Sequence, residues 1–207
     1  MRINISVIKI KQALLELCKT SDPSKITVQD VLERSGVSRA TFYKYFPNLH
    51  HLWHTISHDL VRSMALQHET LDLTSDIGKT SVSKEQIGRI SAQSSVEIAD
   101  RHSCFLFKNR ACILFLIRKD GDPMFVKKWI WLNTSILSKR LELSGYTPDE
   151  SERMGKLLSL GMIKGCMDGI TLSDQKLIFE PIMTTLDVIN ALCENKTNLE
   201  YLRKICN

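Results

Sequence analysis

Ile26–Phe46 reads ITVQDVLERSGVSRATFYKYF, two short amphipathic segments that meet at Gly36. Thr27 can accept from the free amides of a first helical turn, and Val28, Val31 and Leu32 follow at helical spacing, which predicts a helix of about two turns. Ser35-Gly36-Val37 should end it, because glycine takes a positive φ without a Cβ penalty. Ser38 is a second N-cap, and Arg39 to Phe46 can run as a second helix until Pro47 forces an exit. On that helix Phe42 and Phe46 share one face, and Val37 plugs the angle between the two helices. Arg39, Thr41, Tyr43, Lys44 and Tyr45 are assigned to the opposite face, where a cation, a hydroxyl and phenols can donate to phosphates and read base edges. Helix, glycine turn and helix together make a helix-turn-helix pattern.

GVSRATFYKYFPN, preceded by TVQDVLERS, closely resembles the DNA-binding segment of TetR-type transcriptional regulators. The turn glycine Gly36, the Val37-Ser38 start, the Phe42-Tyr43 pair and the Phe46-Pro47 exit stand in that family's order and spacing. Leu32 and Ser35 occupy positions where alanine is usual, and Leu49-His50-His51 replaces the charged opening of the next helix. The resemblance implies a homodimer that sets two recognition helices in successive major grooves of a near-palindromic double-stranded operator. It also implies a body that binds a small-molecule effector, and a repressor as the commonest mode. The DNA-contacting set is then Thr27, Val37, Ser38, Arg39, Ala40, Thr41, Tyr43, Lys44 and Tyr45. Within it Arg39 and Thr41 are assigned to base edges, Tyr43, Lys44 and the N-terminal residue Thr27 to phosphates.

The rest of the composition agrees without adding specificity. Net charge is +5, and residues 1–60 hold eight Lys/Arg against five Asp/Glu, a mild excess compatible with a polyanionic partner. Six scattered cysteines, with no C-x-x-C pair, read as reduced core thiols. No run approaches the roughly 18 apolar residues of a membrane span, and the N-terminus lacks the pattern of a signal peptide. A cytoplasmic protein with no membrane partner is expected.

Outward from the motif, Ile10, Leu14, Leu17 and Cys18 predict a first helix over about 7–19. Leu49, Leu52, Trp53, Ile56, Leu60, Val61 and Met64 predict a long fourth helix capped by Asn48. Residues 70–83 lack periodicity and mark an internal boundary. The reading is therefore all-α: a three-helix head over 1–48, a linking helix over 49–69, and a larger helical body for ligand binding and dimerisation over 70–207. In that body Ser103–Arg118 reads as one helix apolar almost all round, and so central. Pro123 is placed in the first turn of the next helix, Thr147-Pro148 at the start of another, and the last runs over about 173–193 with a kink expected at Pro181.

Three further constellations have competing readings. His50, His54 and His58 step along the fourth helix at four-residue spacing, but steps of that size drift by about 40° each and no ligand set completes a tetrahedral site. No metal is expected, and the histidines are read as a polar face. Gly161, Gly165 and Gly169 repeat every four residues, a pattern that lets another helix approach closely; the resemblance implies a dimer interface over about 148–193, with intramolecular packing as the alternative. Phe105, Phe107, Phe115, Trp129, Trp131, Met124 and Met162 can line an apolar pocket or simply form core, so the ligand site stays unassigned. No cofactor is expected. No catalytic cluster can be assembled, which argues against an enzyme, the rival being a helical enzyme or carrier with a non-DNA-binding trihelical unit. A DNA-binding protein without a ligand response is the third alternative.

Overall fold

A computed structural model describes residues 4–69, 84–118 and 121–205, with side chains over 4–66, 95–118 and 121–195. Among these residues there are nine α-helices and no strand. They are α1 (Ile5–Thr20), α2 (Val28–Ser35), α3 (Arg39–Tyr45), α4 (Leu49–Glu69), α5 (Lys84–Lys108), α6 (Arg110–Leu116), α7 (Phe125–Leu143), α8 (Pro148–Thr171) and α9 (Gln175–Ile205), with one 3-10 turn at Pro23–Lys25. The all-α reading holds. The boundary read at 70–83 lies outside the described residues.

Two compact units result, Met1–Arg62 with Asn109–Val126, and Ser63–Lys108 with Lys127–Asn207. This division differs from one at 48 and 69, because packing gives the first unit most of α4 and returns a distant stretch to it. The reason lies in the run Ser103–Arg118. Asn109 leaves helical geometry at φ −100°, ψ 9°, so the run splits into the end of α5 and a separate α6. Asparagine is a poor interior helix residue, and α6 packs on α1 and the 3-10 turn, so this segment is not central to the body as expected.

In the first unit α1 lies against α2 and α3 and buries Ile10, Ala13, Leu14 and Cys18. Val31, Phe42 and Phe46 are buried from the two motif helices, and Leu52, Trp53, Ile56 and Leu60 from α4. The ring of Trp53 stacks on that of Phe115 in α6 at 4.3 Å. Fully burying each such side chain contributes about 1.5–3 kcal/mol, so α6 belongs to this core energetically as well as geometrically. After α6 the chain turns back with the Asp122 amide donating to the Leu116 carbonyl at 3.0 Å. Asp122 is buried, accepts from the Ser57 hydroxyl of α4, and caps the following turn by accepting from the Met124 amide at 2.9 Å. Pro123 therefore lies in the turn that Asp122 caps, two residues before α7 begins at Phe125, rather than within the first turn of that helix.

The second unit is held by α9 against α5 and α8. Leu137, Leu141 and Ile189 form a buried cluster flanked by Tyr146, whose hydroxyl donates to the Leu192 carbonyl at 3.1 Å. Thr147 caps α8 in a reciprocal box with Glu150, and Pro148 opens the helix as its sequence predicts. The last helix begins at Gln175, after Ser173 at φ 54°, and runs to Ile205, well past the expected end.

The glycine repeat is divided between two environments. A Cβ on Gly165 would meet the Pro181 ring at 2.7 Å, and one on Gly169 would meet the Ile178 backbone nitrogen at 2.7 Å, so both admit α9 of the same chain. Gly161 has open space around it. The intramolecular reading thus accounts for Gly165 and Gly169, and only Gly161 faces outward.

Burial holds the thiols of Cys18 and Cys166 protonated, pushed up to about 12, and raises Cys112 well above its ordinary value. Such thiols are inert packing groups at neutral pH.

Gly121 has no room for a side chain, because a Cβ would stand 2.3 Å from the Phe115 carbonyl oxygen and 2.6 Å from that of Leu116. Gly121→Ala should lower unfolding stability by about 1–3 kcal/mol in denaturant titration. An unchanged midpoint would show that the turn relaxes freely.

Candidate nucleic-acid interface

Thr27 caps α2, and a capping box forms: its hydroxyl accepts from the Asp30 amide at 3.3 Å while its own amide donates to the Asp30 carboxylate at 2.7 Å. Its hydroxyl hydrogen also goes to Asp30, at 2.7 Å. Both groups assigned to a phosphate on sequence grounds are therefore engaged by a carboxylate, which would have to give way. The Thr27 amide and hydroxyl together hold the Asp30 carboxyl below its ordinary range.

Gly36 ends α2 at φ 65°, ψ 19°, the left-handed conformation its sequence position requires. Ser35, the departure from the usual alanine, gains a role here. Its hydroxyl donates to the Leu32 carbonyl and accepts from the Val37 amide, each at 3.3 Å, and so braces the turn from inside. Val37 is half-buried in the angle between the helices.

Ser38 caps α3 by accepting from the Thr41 amide at 3.2 Å, and the two hydroxyls lie 2.9 Å apart. Phe42 is fully buried and Phe46 nearly so, their ring centroids 5.8 Å apart, which fixes the rotation of the helix about its axis. At about 100° per residue, Arg39, Tyr43, Ala40 and Lys44 then fall within an arc of about 140°, and all four are exposed. Thr41 and Tyr45 lie on the flank and are half-buried. Thr41 is occupied by Ser38, and the Tyr45 hydroxyl accepts from the side chain of Asn4, the N-cap residue of α1. The Lys44 ammonium stands 5.7 Å from the Tyr45 ring centroid. Of the residues assigned on α3, Arg39, Ala40, Tyr43 and Lys44 form an exposed strip, and Thr41 and Tyr45 flank it. The rotation set by Phe42 and Phe46 turns Thr41 and Tyr45 to the flank, where one meets the capping Ser38 and the other Asn4.

Sequence reading missed Asn4 and Gln29. Gln29 lies on the exposed side of α2, where its amide oxygen accepts from Arg39 Nη2 at 3.2 Å. The polar i, i+4 spacing of Gln29 and Glu33 was the available signal. His50, His51, His54 and His58 are exposed on α4, and among the described residues no three His, Cys, Asp or Glu side chains are grouped to hold a metal.

The candidate aromatic pocket is only partly assembled. Phe105, Trp129 and Met162 line a cavity in the second unit with Met64, Asn133 and Cys166; its volume of about 20 Å³ admits one water. Phe115 is instead buried in the first unit, Met124 is exposed there, and Trp131 is 71% exposed on α7. Phe107 is half-buried and does not line the cavity.

Residues 10–52 match the family model described as bacterial regulatory proteins, tetR family. No curated protein matches the chain significantly.

Two outcomes follow. Ser38→Ala should cost about 0.5–2 kcal/mol of stability through loss of the α3 cap. Because the Asp30 carboxyl is depressed in the fold, its contribution is present above the unfolded carboxylate range and is lost as pH falls through the folded value. Asp30→Asn should therefore be less stable than the parent at pH 7 in thermal unfolding, with the gap narrowing as pH falls below the ordinary carboxylate range. A gap independent of pH would remove the carboxylate from the cap.

Proposed function

With a TetR-family DNA-binding domain at residues 10–52 as premise, we propose that this DNA-binding transcriptional regulator is a repressor that binds a near-palindromic operator as a homodimer and releases it on binding a small effector. The observation that carries the reading is the exposed strip of Arg39, Ala40, Tyr43 and Lys44 above the anchored Phe42 and Phe46. Phosphate contacts from Tyr43 and Lys44 would set register, and Arg39 at the N-terminal end of α3 would reach base edges.

Support for self-association comes from α8 and α9. Leu157 is 70% and Leu160 42% exposed on α8 beside Gly161, and Leu177 and Val188 are exposed on α9. Large apolar side chains left in water on two adjacent helices suit an isologous helical interface with a second copy. The operator would then contain two half-sites related by the dimer axis.

For the effector, the support is the cavity lined by Phe105, Trp129, Met162 and Asn133. At about 20 Å³ it is far below the roughly 300 Å³ of a ligand site, so entry requires the flexible Met64 and Met162 side chains to move. An effector must bind the released conformation more tightly than the DNA-bound one, since binding both equally shifts nothing. Among the described residues no helix is long and apolar enough to cross a membrane, and we place the regulator in the cytoplasm with its operator.

Selection of duplexes from a random pool should return a palindromic consensus. Arg39→Ala should relax base preference by about 1–3 kcal/mol, whereas Lys44→Ala should weaken all sequences alike and lower the salt slope by about one. Absence of any salt-dependent duplex binding would overturn the function. Leu157→Arg with Leu160→Arg, both at exposed positions, should weaken self-association at least about tenfold in sedimentation equilibrium while the helical circular dichroism of the chain is kept. Unaltered association would move the interface elsewhere.

A further inference from the structure

Three side chains run in line across the outer surface of the two motif helices. Glu33 Oε1 accepts from Gln29 Nε2 at 2.9 Å, and Gln29 Oε1 accepts from Arg39 Nη2 at 3.2 Å. The orientation of the Gln29 amide follows from the chemistry of its neighbours. A carboxylate can only accept, and a guanidinium can only donate, so the NH₂ must face Glu33 and the oxygen must face Arg39. Turned the other way, the amide would set oxygen against carboxylate and donor against donor.

Arg39 has a flexible side chain on an exposed helix end, and free in solvent it would sample many rotamers. One hydrogen of Nη2 committed to Gln29 restrains the guanidinium plane. Whichever Nη2 hydrogen is committed, the other pairs with a neighbouring donor on Nη1 or Nε, leaving a two-donor fork that matches the O6 and N7 acceptors of guanine in the major groove. A surface hydrogen bond of this kind adds little stability to the fold, and its effect falls on the cost of ordering Arg39 at the moment of binding.

Resting on the DNA-reading function proposed above, we infer that Gln29 is a positioning residue: held by Glu33, it presets Arg39 to read a guanine in each half-site. Gln29 touches no base. It acts through Arg39, and its removal therefore changes preference only at the position that Arg39 reads.

The experiment is duplex selection and competition binding with the full chain as wild type, Gln29→Met, Gln29→Glu, Arg39→Ala and the Gln29→Met/Arg39→Ala double variant, with thermal midpoints as a check on folding. Methionine keeps the length and helical character of glutamine without an acceptor, whereas glutamate retains one. Wild type should select guanine at the position that Arg39→Ala relaxes. Gln29→Met should reduce that preference about threefold to tenfold, the range of one hydrogen bond. Gln29→Glu should retain it, and the double variant should match Arg39→Ala alone. The inference is overturned if Gln29→Met keeps the wild-type preference, if it relaxes a different position from Arg39→Ala, or if the position read is not guanine. A wild-type chain that enriches no sequence overturns the DNA-reading function itself, which separates that failure from the others.

Discussion

The reversal at Gly36 sets everything the first unit presents outward. A left-handed residue there lets α2 stop and α3 start within three residues, and the angle between them decides where Arg39 meets Gln29. Ser35 braces the turn through its hydroxyl, and Thr27 and Ser38 cap the two helices, satisfying the Asp30 and Thr41 amides within the motif. Helices of eight and seven residues are too short to persist alone. Their caps and the burial of Phe42, Phe46 and Val31 supply what length does not.

That economy explains which polar groups remain for a ligand. Thr27, Ser38, Thr41 and Tyr45 each have a hydroxyl that could meet a phosphate, and each is already engaged within the unit. Arg39 and Lys44 are different, because a cation with several donors can keep an internal contact and still offer hydrogens outward. The recognition surface is thus carried by residues with several donors, on a scaffold whose hydroxyls also serve the unit's own contacts.

Much of this was legible in the chain, for a physical reason. Caps, turn glycines and i, i+4 apolar pairs are local, so Thr27, Gly36, Ser38 and Phe42 with Phe46 announced the motif, and Thr147-Pro148 announced the start of α8. Features that depend on the third dimension were not legible. The run Ser103–Arg118 is apolar on every side, and no periodicity can say whether one core or two receive it; Asn109 alone hinted at a break. Thr41 and Tyr45 are half-buried on the flank of α3, and their partners, a capping serine and a residue 41 positions away, could not be read from helical spacing. Likewise Gly161, Gly165 and Gly169 share a spacing, yet only the neighbours Pro181 and Ile178 separate inward from outward.

The segment 109–126 bears most heavily on how the first unit holds together. Trp53, buried on α4, has Phe115 against its ring, and Ser57, one turn further on, donates to a carboxylate 65 residues away. Without that segment α4 would expose the tryptophan ring and leave the Ser57 hydroxyl to water, and α1 would lose its contact with α6. Gly121 tightens the same turn by letting its backbone lie against the Phe115 and Leu116 carbonyls, closer than any side chain permits. The DNA-reading motif therefore occupies 21 consecutive residues, but the core beneath it closes only when the chain has passed through the second unit and come back. Both α4 and α7 contribute residues to each unit, and so the stability of the reading head is tied to residues far beyond the motif.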